Sequence, residues 1–301
     1  MAEFESENQS NEQGVLHTEI PATSNSAQPE PHSLFEAEPL EAANAAQRHS
    51  IAPWWHTAVL IAGILLLSLT GTKRLGITGG LAPHRMFTYG MTIAMQLTML
   101  GWVWLGLKLS KVPFRSLYGV SRRGAKAWFI DIGIALLFWW VSLFVLGSLN
   151  LGWLTVDAAV HHRPLPMHAG KMSEVDPAQR HQVRLISQLA PESGAEFAMW
   201  FVLCAVVGVV EETVFRGYLQ SQFTAWGRGK AAYGVVFSAL MFGAAHGYEG
   251  YRSMVLLAVF GVLFSMLVLL RRSLRSCIYA HAWHDFVTGI TLALLRSHHV
   301  L

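Results

Sequence analysis

The sequence predicts an all-α fold, a polytopic transmembrane bundle of about seven to eight helices that follows a disordered N-terminal tail. Hydrophobic residues make up 52% of the chain and charged residues only 14%, which is too apolar for an ordinary soluble domain. Several apolar runs exceed 18 residues, the length at which a helix becomes a candidate to cross a bilayer. We therefore expect an integral membrane protein whose first partner is the lipid bilayer.

The alternation of apolar and polar stretches divides the chain into three regions. Residues 1–50 form a polar tail, residues 51–184 hold the first transmembrane helices and a long polar connection, and residues 185–295 form a second helical unit. Trp54 and Trp55, at the first entry into the membrane, are typical interfacial anchors. The predicted helices cover residues 54–70, 86–107, 128–149, 195–220, 231–247, 253–270 and 274–295.

The tail is strongly acidic. Residues 1–50 contain nine glutamates and one arginine, a net charge of −8. This composition predicts disorder, and the tail lacks the basic segment and apolar core of a cleavable signal peptide. The rest of the chain carries +11, which suits loops beside lipid headgroups. It shows no basic stripe with interleaved aromatic residues, so we expect no nucleic-acid partner.

The basic residues in the loops predict the orientation of the protein. With a cytoplasmic N-terminus, the inner loops hold twelve Lys and Arg residues and the outer loops hold nine. This is the direction that the positive-inside rule requires. We therefore expect the N-terminus on the cytoplasmic side of the cell membrane.

A charged turn interrupts the fourth predicted helix. Residues 197–210 carry no charge but span only about 21 Å, whereas the hydrocarbon core is about 30 Å thick. The helix must therefore continue through Glu211, Glu212 and Arg216 before it has crossed. A charge at that depth costs at least about 2.5 to 3.5 kcal/mol, so such residues usually face a cavity and mark a functional site. The alternative is an interfacial glutamate pair with a snorkelling arginine.

Helical spacing separates the roles of the two glutamates. Glu212 and Arg216 are four residues apart, in the acid-first order that favours an ion pair on one helix face. Glu211 points about a quarter-turn away and has no partner within its own helix. An unpaired carboxylate in apolar surroundings is a candidate general base. We therefore predict a structural role for Glu212 and a chemical role for Glu211.

Histidines occur with suggestive spacing in two later helices. His246 ends the run FGAAH that begins at Phe242, and His281 and Asp285 lie four residues apart on one helix face. A single histidine in a membrane helix is more often a hydrogen-bonding residue than a catalyst. Three polar turns in three successive stretches instead indicate a shared pocket with the make-up of a hydrolytic site. His284 is a second-ranked alternative to His281.

Simple hairpins would keep two of these turns apart. His246 approaches the outer face, whereas His281 lies about 12 Å from the inner face, counted along the helix from Ser273. The two meet only if both lie near the middle of the membrane, on tilted or overlong helices. Gln96 and Asp131, polar residues within other helices, are predicted to form hydrogen bonds between helices.

Together the three turns resemble the signature motifs of a known family. The patterns EExxxR from Glu211, FxxxH from Phe242 and HxxxD from His281 are similar in order and spacing to those of the CPBP intramembrane proteases. This family, also called Abi, holds CAAX proteases and bacteriocin-processing enzymes and includes the type II CAAX prenyl proteases. The resemblance covers about residues 185–295, which would form a CPBP-like protease core.

The resemblance implies a role for each motif. Glu211 and His246 would activate a water molecule for attack on a peptide carbonyl. His281 and the residue at 285 would stabilise the oxyanion. The residues that would shape the site around them are Glu212, Arg216 and Phe242. The implied protein is an intramembrane endopeptidase whose substrate is a membrane-associated protein or peptide.

The three motifs do not decide whether a metal is bound, and they allow two functions other than proteolysis. If a metal is bound, zinc held by Glu211, His246 and His281 with water as the fourth ligand is the candidate. No HExxH motif is present, and we favour a metal-free, glutamate-dependent enzyme. A non-catalytic scaffold or immunity-type protein would keep the same polar cluster for structure. A proton-coupled transporter is the third candidate, although we find no convincing repeat of the kind that transporters contain.

Position 285 departs from the family, many of whose members carry asparagine there. Asparagine donates an N–H to an oxyanion, whereas an ionised aspartate only accepts. Asp285 could act on the oxyanion if it is protonated, or it could orient His281 and favour its imidazolium, as the acid of a hydrolase triad does. We prefer the second role, because it needs no neutral carboxyl beside a developing anion. We expect Asp285→Asn to retain activity, because the two residues would be interchangeable. Peptide cleavage by the variant measures this, and a folded but inactive Asp285→Asn protein beside an active wild type would contradict it.

Overall fold

The computed structural model describes residues 49–77, 85–120, 124–162 and 187–297. Within these ranges the chain forms helices and no β-strand, which confirms the predicted all-α fold. The predicted acidic tail, apart from its last two residues, lies outside the described residues. The same is true of most of the predicted polar connection.

Seven helical segments follow one another along the described chain, as predicted. The fourth segment is continuous but changes type, because α4 passes into a π-helix and then into α5. The elements are α1 (Trp54–Ile77), α2 (Arg85–Leu109), α3 (Ala125–Val160), α4 (Gly194–Glu212), the π-helix (Thr213–Leu219), α5 (Gln220–Trp226), α6 (Ala231–Ala245), α7 (Tyr251–Arg271) and α8 (Arg275–Ser297).

Among the described residues, five stretches are long and apolar enough to cross a membrane, so this is an integral membrane protein. They lie in α1, α2, α3, α7 and the continuous stretch Gly194–Trp226. α6 is apolar but has only 15 residues. Its length of about 22 Å is too short for a hydrocarbon core of about 30 Å. α8 is long enough, but polar residues along it lower its hydropathy.

α3 is longer than predicted, since it runs to Val160 and not to residue 149. Its 36 residues span about 54 Å, so the helix extends past the hydrocarbon core. The extra turns pack on the start of α7. The rings of Trp153 and Tyr251 lie 5.7 Å apart, and Asn150 accepts a hydrogen bond from Arg252. The predicted end was wrong because these contacts extend the helix beyond its strongly apolar run.

The π-helix lies at the centre of the fold, and all seven of its residues are buried. Its wide turn appears in the hydrogen bond from the Gln220 N–H to the Phe215 carbonyl, five residues back. The same carbonyl accepts a hydrogen bond from Ser238 on α6 at 2.6 Å. We predicted an uninterrupted α-helix over 195–220, and the π-helix corrects that prediction. Its wide turn depends on packing against other helices, which local sequence does not indicate.

The N-terminal helices hold the π-helix in place. The phenol oxygen of Tyr218 lies 2.9 Å from His56 Nδ1 and 2.9 Å from Thr57 Oγ1, both on α1. His56 Nε2 lies 2.9 Å from the carbonyl of Trp102 on α2. Because a carbonyl only accepts, Nε2 carries the proton in the neutral ring, and Nδ1 accepts from the phenol. α1, α2 and the π-helix are therefore joined through one buried imidazole.

Close packing of α4 against α8 brings the polar turns of these helices together. A Cβ atom at Gly208 would lie 3.0 Å from the Ala282 side chain and 3.1 Å from the Ile278 carbonyl. A side chain at position 208 would therefore push the two backbones apart. The contact lies one residue from His281 and three residues from Glu211, so it sets how closely the first and third motifs approach.

A buried aspartate fixes the first turn of α8. Asp131 on α3 forms ion pairs with Arg271 at 2.9 Å and with Arg275 at 3.3 Å. The Ser276 hydroxyl, at 3.3 Å, donates to the same carboxylate. The predicted role of Asp131 in hydrogen bonds between helices is therefore confirmed. These contacts join α3, α7 and α8 just before the turn that carries His281.

A second ionic cluster joins the start of α2, the start of α4 and the end of α8. Glu192, which precedes α4, forms ion pairs with Arg85 at the start of α2 (2.7 Å) and with Arg296 near the end of α8 (2.6 Å). The hydrogen bond from Arg85 lowers the pKa of the Glu192 carboxyl. The Arg85 side chain also reaches the carbonyl of Gln188 at 3.0 Å.

We expect Gly106→Ala to destabilise the protein by about 1–3 kcal/mol. A Cβ atom at position 106 would lie 2.4 Å from the His56 ring, and hydrogen bonds at both ring nitrogens hold that ring in place. Gly101→Ala on the same helix is the matched control, because its Cβ would have no atom within 4 Å. Thermal unfolding in detergent micelles measures both variants. Equal unfolding temperatures would contradict the packing described above.

Candidate active site

The ion pair predicted from helical spacing is present. Glu212 Oε1 accepts a hydrogen bond from Arg216 Nη1 at 3.0 Å, and both side chains are fully buried. The guanidinium lies over the rings of Phe242 at 4.2 Å and Phe264 at 4.9 Å. Cation–π attraction is strongest in such dry surroundings. The pair forms although Arg216 lies on the π-helix.

Glu212 also binds the imidazole of His281. Glu212 Oε1 lies 2.7 Å from His281 Nδ1, and Nδ1 is the donor because an ionised carboxylate only accepts. One carboxylate oxygen therefore joins the arginine of the first motif to the histidine of the third. Glu212 Oε2 and Arg216 Nη2 are buried and have no hydrogen-bond partner among the described residues.

Asp285 lies near His281 without bonding to it. Asp285 Oδ2 is 3.7 Å from His281 Nε2, which is too long for a hydrogen bond. We expected Asp285 to orient His281. This expectation is corrected, because the hydrogen bond that orients the ring is made with Glu212. Asp285 keeps 28% of its side chain exposed.

Glu211 has surroundings unlike those of its neighbour. Its Oε1 accepts a hydrogen bond from Gln96 Nε2 on α2 at 2.8 Å, and its Oε2 lies 3.7 Å from His281 Nε2. The Glu211 side chain is 13% exposed, whereas that of Glu212 is fully buried. Glu212 is thus enclosed in an ion pair, while Glu211 stays accessible.

Gln96 is a member of the site that we did not predict as one. The prediction that it forms a hydrogen bond between helices is confirmed, but the sequence did not indicate which helix α2 faces. The available signal was a polar side chain in the middle of an apolar helix, which usually has a functional or interhelical role. The partner depends on the packing of α2 against α4.

His246 follows the last residue of α6 and is half-buried. Its Nδ1 lies 2.8 Å from the Phe242 carbonyl. Because a carbonyl only accepts, Nδ1 is the donor, and Nε2 of the neutral ring keeps its lone pair for another partner. The Phe242 ring lies 4.9 Å from the His246 ring and 6.0 Å from the His281 ring. Phe242 is thus the common neighbour of both histidines.

The short α6 brings the second motif closer to the third. Since α6 spans about 22 Å, it ends short of a hydrocarbon core about 30 Å thick, and His246 follows its last residue. His281 lies six residues into α8, about 9 Å from its start. A difference in depth of about 13 Å is left when it is counted along the helices, but the two imidazoles share the Phe242 ring as a neighbour. The second-ranked candidate, His284, packs against α7, with its ring 5.2 Å from Phe260.

The zinc ligands that the sequence suggests stay a prediction. Among the described residues, no group of three or more His, Cys, Asp or Glu side chains is arranged to hold a metal ion, and the set Glu211, His246 and His281 is included in that result. One nitrogen of each histidine is bonded, to the Phe242 carbonyl and to Glu212 respectively, which leaves the other nitrogen of each ring for a further partner.

A family model matches the part of the chain that carries these groups. Residues 193–287 match the family described as Rce1-like, type II CAAX prenyl endopeptidase. The matched residues lie within the predicted unit 185–295 and include all three motifs. Helices α1, α2 and α3, and with them Gln96, lie outside the match. No curated protein and no solved structure matches the chain.

We expect Arg216→Met to destabilise the fold by about 3–5 kcal/mol, because it leaves the buried Glu212 carboxylate without its arginine partner. Arg228→Met is the matched control, since Arg228 is exposed in the turn after α5. Replacing both partners, as in Glu212→Gln with Arg216→Met, is expected to recover part of the loss. Denaturant unfolding in micelles measures all three variants. Equal stabilities for the two single arginine variants would contradict a buried pair.

Proposed function

We propose that this protein is a membrane endopeptidase, because residues 193–287 match the model of the Rce1-like family of type II CAAX prenyl endopeptidases. It hydrolyses a peptide bond near or within the membrane. The bond is attacked by a water molecule that Glu211 and His246 activate. The observation that carries the proposal is the difference in surroundings between two adjacent glutamates.

That difference assigns the base. Among the described residues, Glu212 Oε1 binds both Arg216 and His281 and Oε2 has no partner, so Glu212 serves to hold other groups. Glu211 is partly exposed, and it accepts a hydrogen bond from a neutral amide. A general base needs a carboxylate that substrate water can reach. Glu211 meets this requirement and Glu212 does not.

The reaction uses the hydrogen-bonding capacity of each group. Water donates one hydrogen to Glu211 and the other to Nε2 of His246. As Glu211 takes its proton, the water oxygen bonds to the carbonyl carbon and the carbonyl electrons move onto the carbonyl oxygen. The carbon–nitrogen bond then breaks, and the proton on Glu211 passes to the leaving nitrogen. Each step uses only the protein's own side chains and requires no tightly bound zinc.

His281 stabilises the negative oxygen of the intermediate. Glu212 holds its Nδ1–H at 2.7 Å, so Nε2–H of the imidazolium is directed away from Glu212. Donors that are fixed before the reaction stabilise a developing oxyanion most effectively, because they need no reorganisation. Asp285 balances the charge of the imidazolium from 3.7 Å.

The substrate is a membrane-associated protein or peptide, because the catalytic groups lie within the membrane thickness. A C-terminal prenylated peptide is the first class to test, since the matched family is one of CAAX prenyl endopeptidases. We assign the protein to the cell membrane with its N-terminus on the cytoplasmic side. The excess of Lys and Arg in the inner loops, twelve against nine, supports that orientation.

We expect Glu211→Gln to abolish cleavage, because a neutral amide cannot take a proton from water. Peptide termini are mapped quantitatively in membranes that contain matched amounts of wild type, Glu211→Gln or Glu192→Gln. Glu192→Gln is the control, since Glu192 is a half-exposed glutamate outside the site. New termini should appear with wild type and Glu192→Gln, and not with Glu211→Gln.

The opposite outcome identifies a different function. If the three profiles of termini match while the host's phenotype survives Glu211→Gln, the protein is a non-catalytic scaffold. If cleavage is absent but proton-coupled transport depends on Glu211, the transporter is supported.

A further inference from the structure

We propose that Gln96 is a positioning residue for Glu211, because its amide fixes the orientation of that carboxylate and the oxygen not bonded to Gln96 acts as the base. The inference rests on the proposed function of Glu211. Gln96 Nε2 donates to Glu211 Oε1 at 2.8 Å, and the amide is 5% exposed. The nitrogen must face Glu211, because an ionised carboxylate only accepts hydrogen bonds.

This hydrogen bond gives the two Glu211 oxygens different surroundings. Oε1 is held by the amide on the α2 side. Oε2 is directed toward the third motif, 3.7 Å from His281 Nε2. A half-turn exchanges two chemically equivalent oxygens and restores the same hydrogen bond, so what the amide fixes is the orientation of the carboxylate plane, with one oxygen bonded to Gln96 and the other facing the third motif. The geometry therefore assigns proton transfer to Oε2, on the side where the oxyanion donor lies.

The other end of the amide argues against a purely structural role. Gln96 Oε1 is buried and has no hydrogen-bond partner among the described residues. A buried acceptor without a partner destabilises a fold, and an apolar side chain of similar size would avoid that loss. Function at the expense of stability is the usual pattern for active-site residues. Gln96 fits this pattern, since its side chain bonds to the proposed base and, in the part of the chain that the structure describes, to no other group.

The inference extends the active site beyond the matched family region. Gln96 lies on α2, whereas the match covers residues 193–287. α2 is held against the π-helix through the His56 imidazole. The N-terminal helices would therefore take part in catalysis by fixing the orientation of the base.

The test compares Gln96→Met with Gln220→Met. Gln220 is the matched control, because it is buried and its Oε1 also has no partner among the described residues. Rates are measured on a synthetic peptide that spans the bond identified by mapping Glu211-dependent termini. We expect Gln96→Met to lower kcat about 100-fold, as misplacement of a reacting group does, with KM within about threefold. Its unfolding temperature should be unchanged or higher. Gln220→Met should keep wild-type kcat.

A second variant keeps the inference testable if Gln96→Met folds poorly. Gln96→Asn keeps the amide but shortens the side chain by one methylene, which withdraws the N–H from Glu211, and it should lose a similar fraction of kcat. The inference is overturned if Gln96→Met or Gln96→Asn keeps kcat within about threefold of wild type, or if both Met variants lose activity and stability equally. If Glu211→Gln is itself active, the proposed function has failed, and this inference fails with it.

Discussion

The structure depends on one fully buried cluster, in which the Glu212 carboxylate binds both Arg216 and His281. Two opposite charges removed from water are tolerated only when they are paired and well bonded. Here the pair joins α4 to the π-helix, and the bond to His281 joins both to α8. The rings of Phe242 and Phe264 cover the guanidinium and bring α6 and α7 into the same contact. This cluster thus brings together five elements of the bundle.

Glu211 takes its properties from this arrangement. Because Glu212 holds the arginine and the histidine, the preceding residue, Glu211, is left with a neutral hydrogen-bond donor, Gln96, and with partial solvent exposure. Because adjacent residues on a helix point about a quarter-turn apart, the Glu212 carboxylate is buried while the Glu211 carboxylate is partly exposed. A change at Glu212 is therefore expected to act on folding, and a change at Glu211 on chemistry.

Much of the fold can be predicted from the long apolar runs, because a run of about 20 residues is long enough to form one membrane-spanning helix. Spacing also predicts the Glu212–Arg216 pair, since residues four apart on a helix lie together whatever surrounds them. The π-helix does not follow, because its wide turn is stabilised by contacts from α1 and α6, such as Ser238 with the Phe215 carbonyl. The Gln96 and His281 bonds also depend on which helices are neighbours. Local spacing favoured Asp285 for His281, whereas tertiary packing selected Glu212.

The most direct test of this account compares Glu211→Gln with Glu212→Gln in one preparation, by thermal unfolding and by mapping of cleaved termini. The account predicts that Glu211→Gln unfolds near the wild-type temperature and cleaves nothing. Glu212→Gln should unfold at a clearly lower temperature, because Arg216 is left buried without its partner charge, a loss of about 3–5 kcal/mol. Equal loss of stability in the two variants, or cleavage by Glu211→Gln, would contradict the division of roles between the two glutamates.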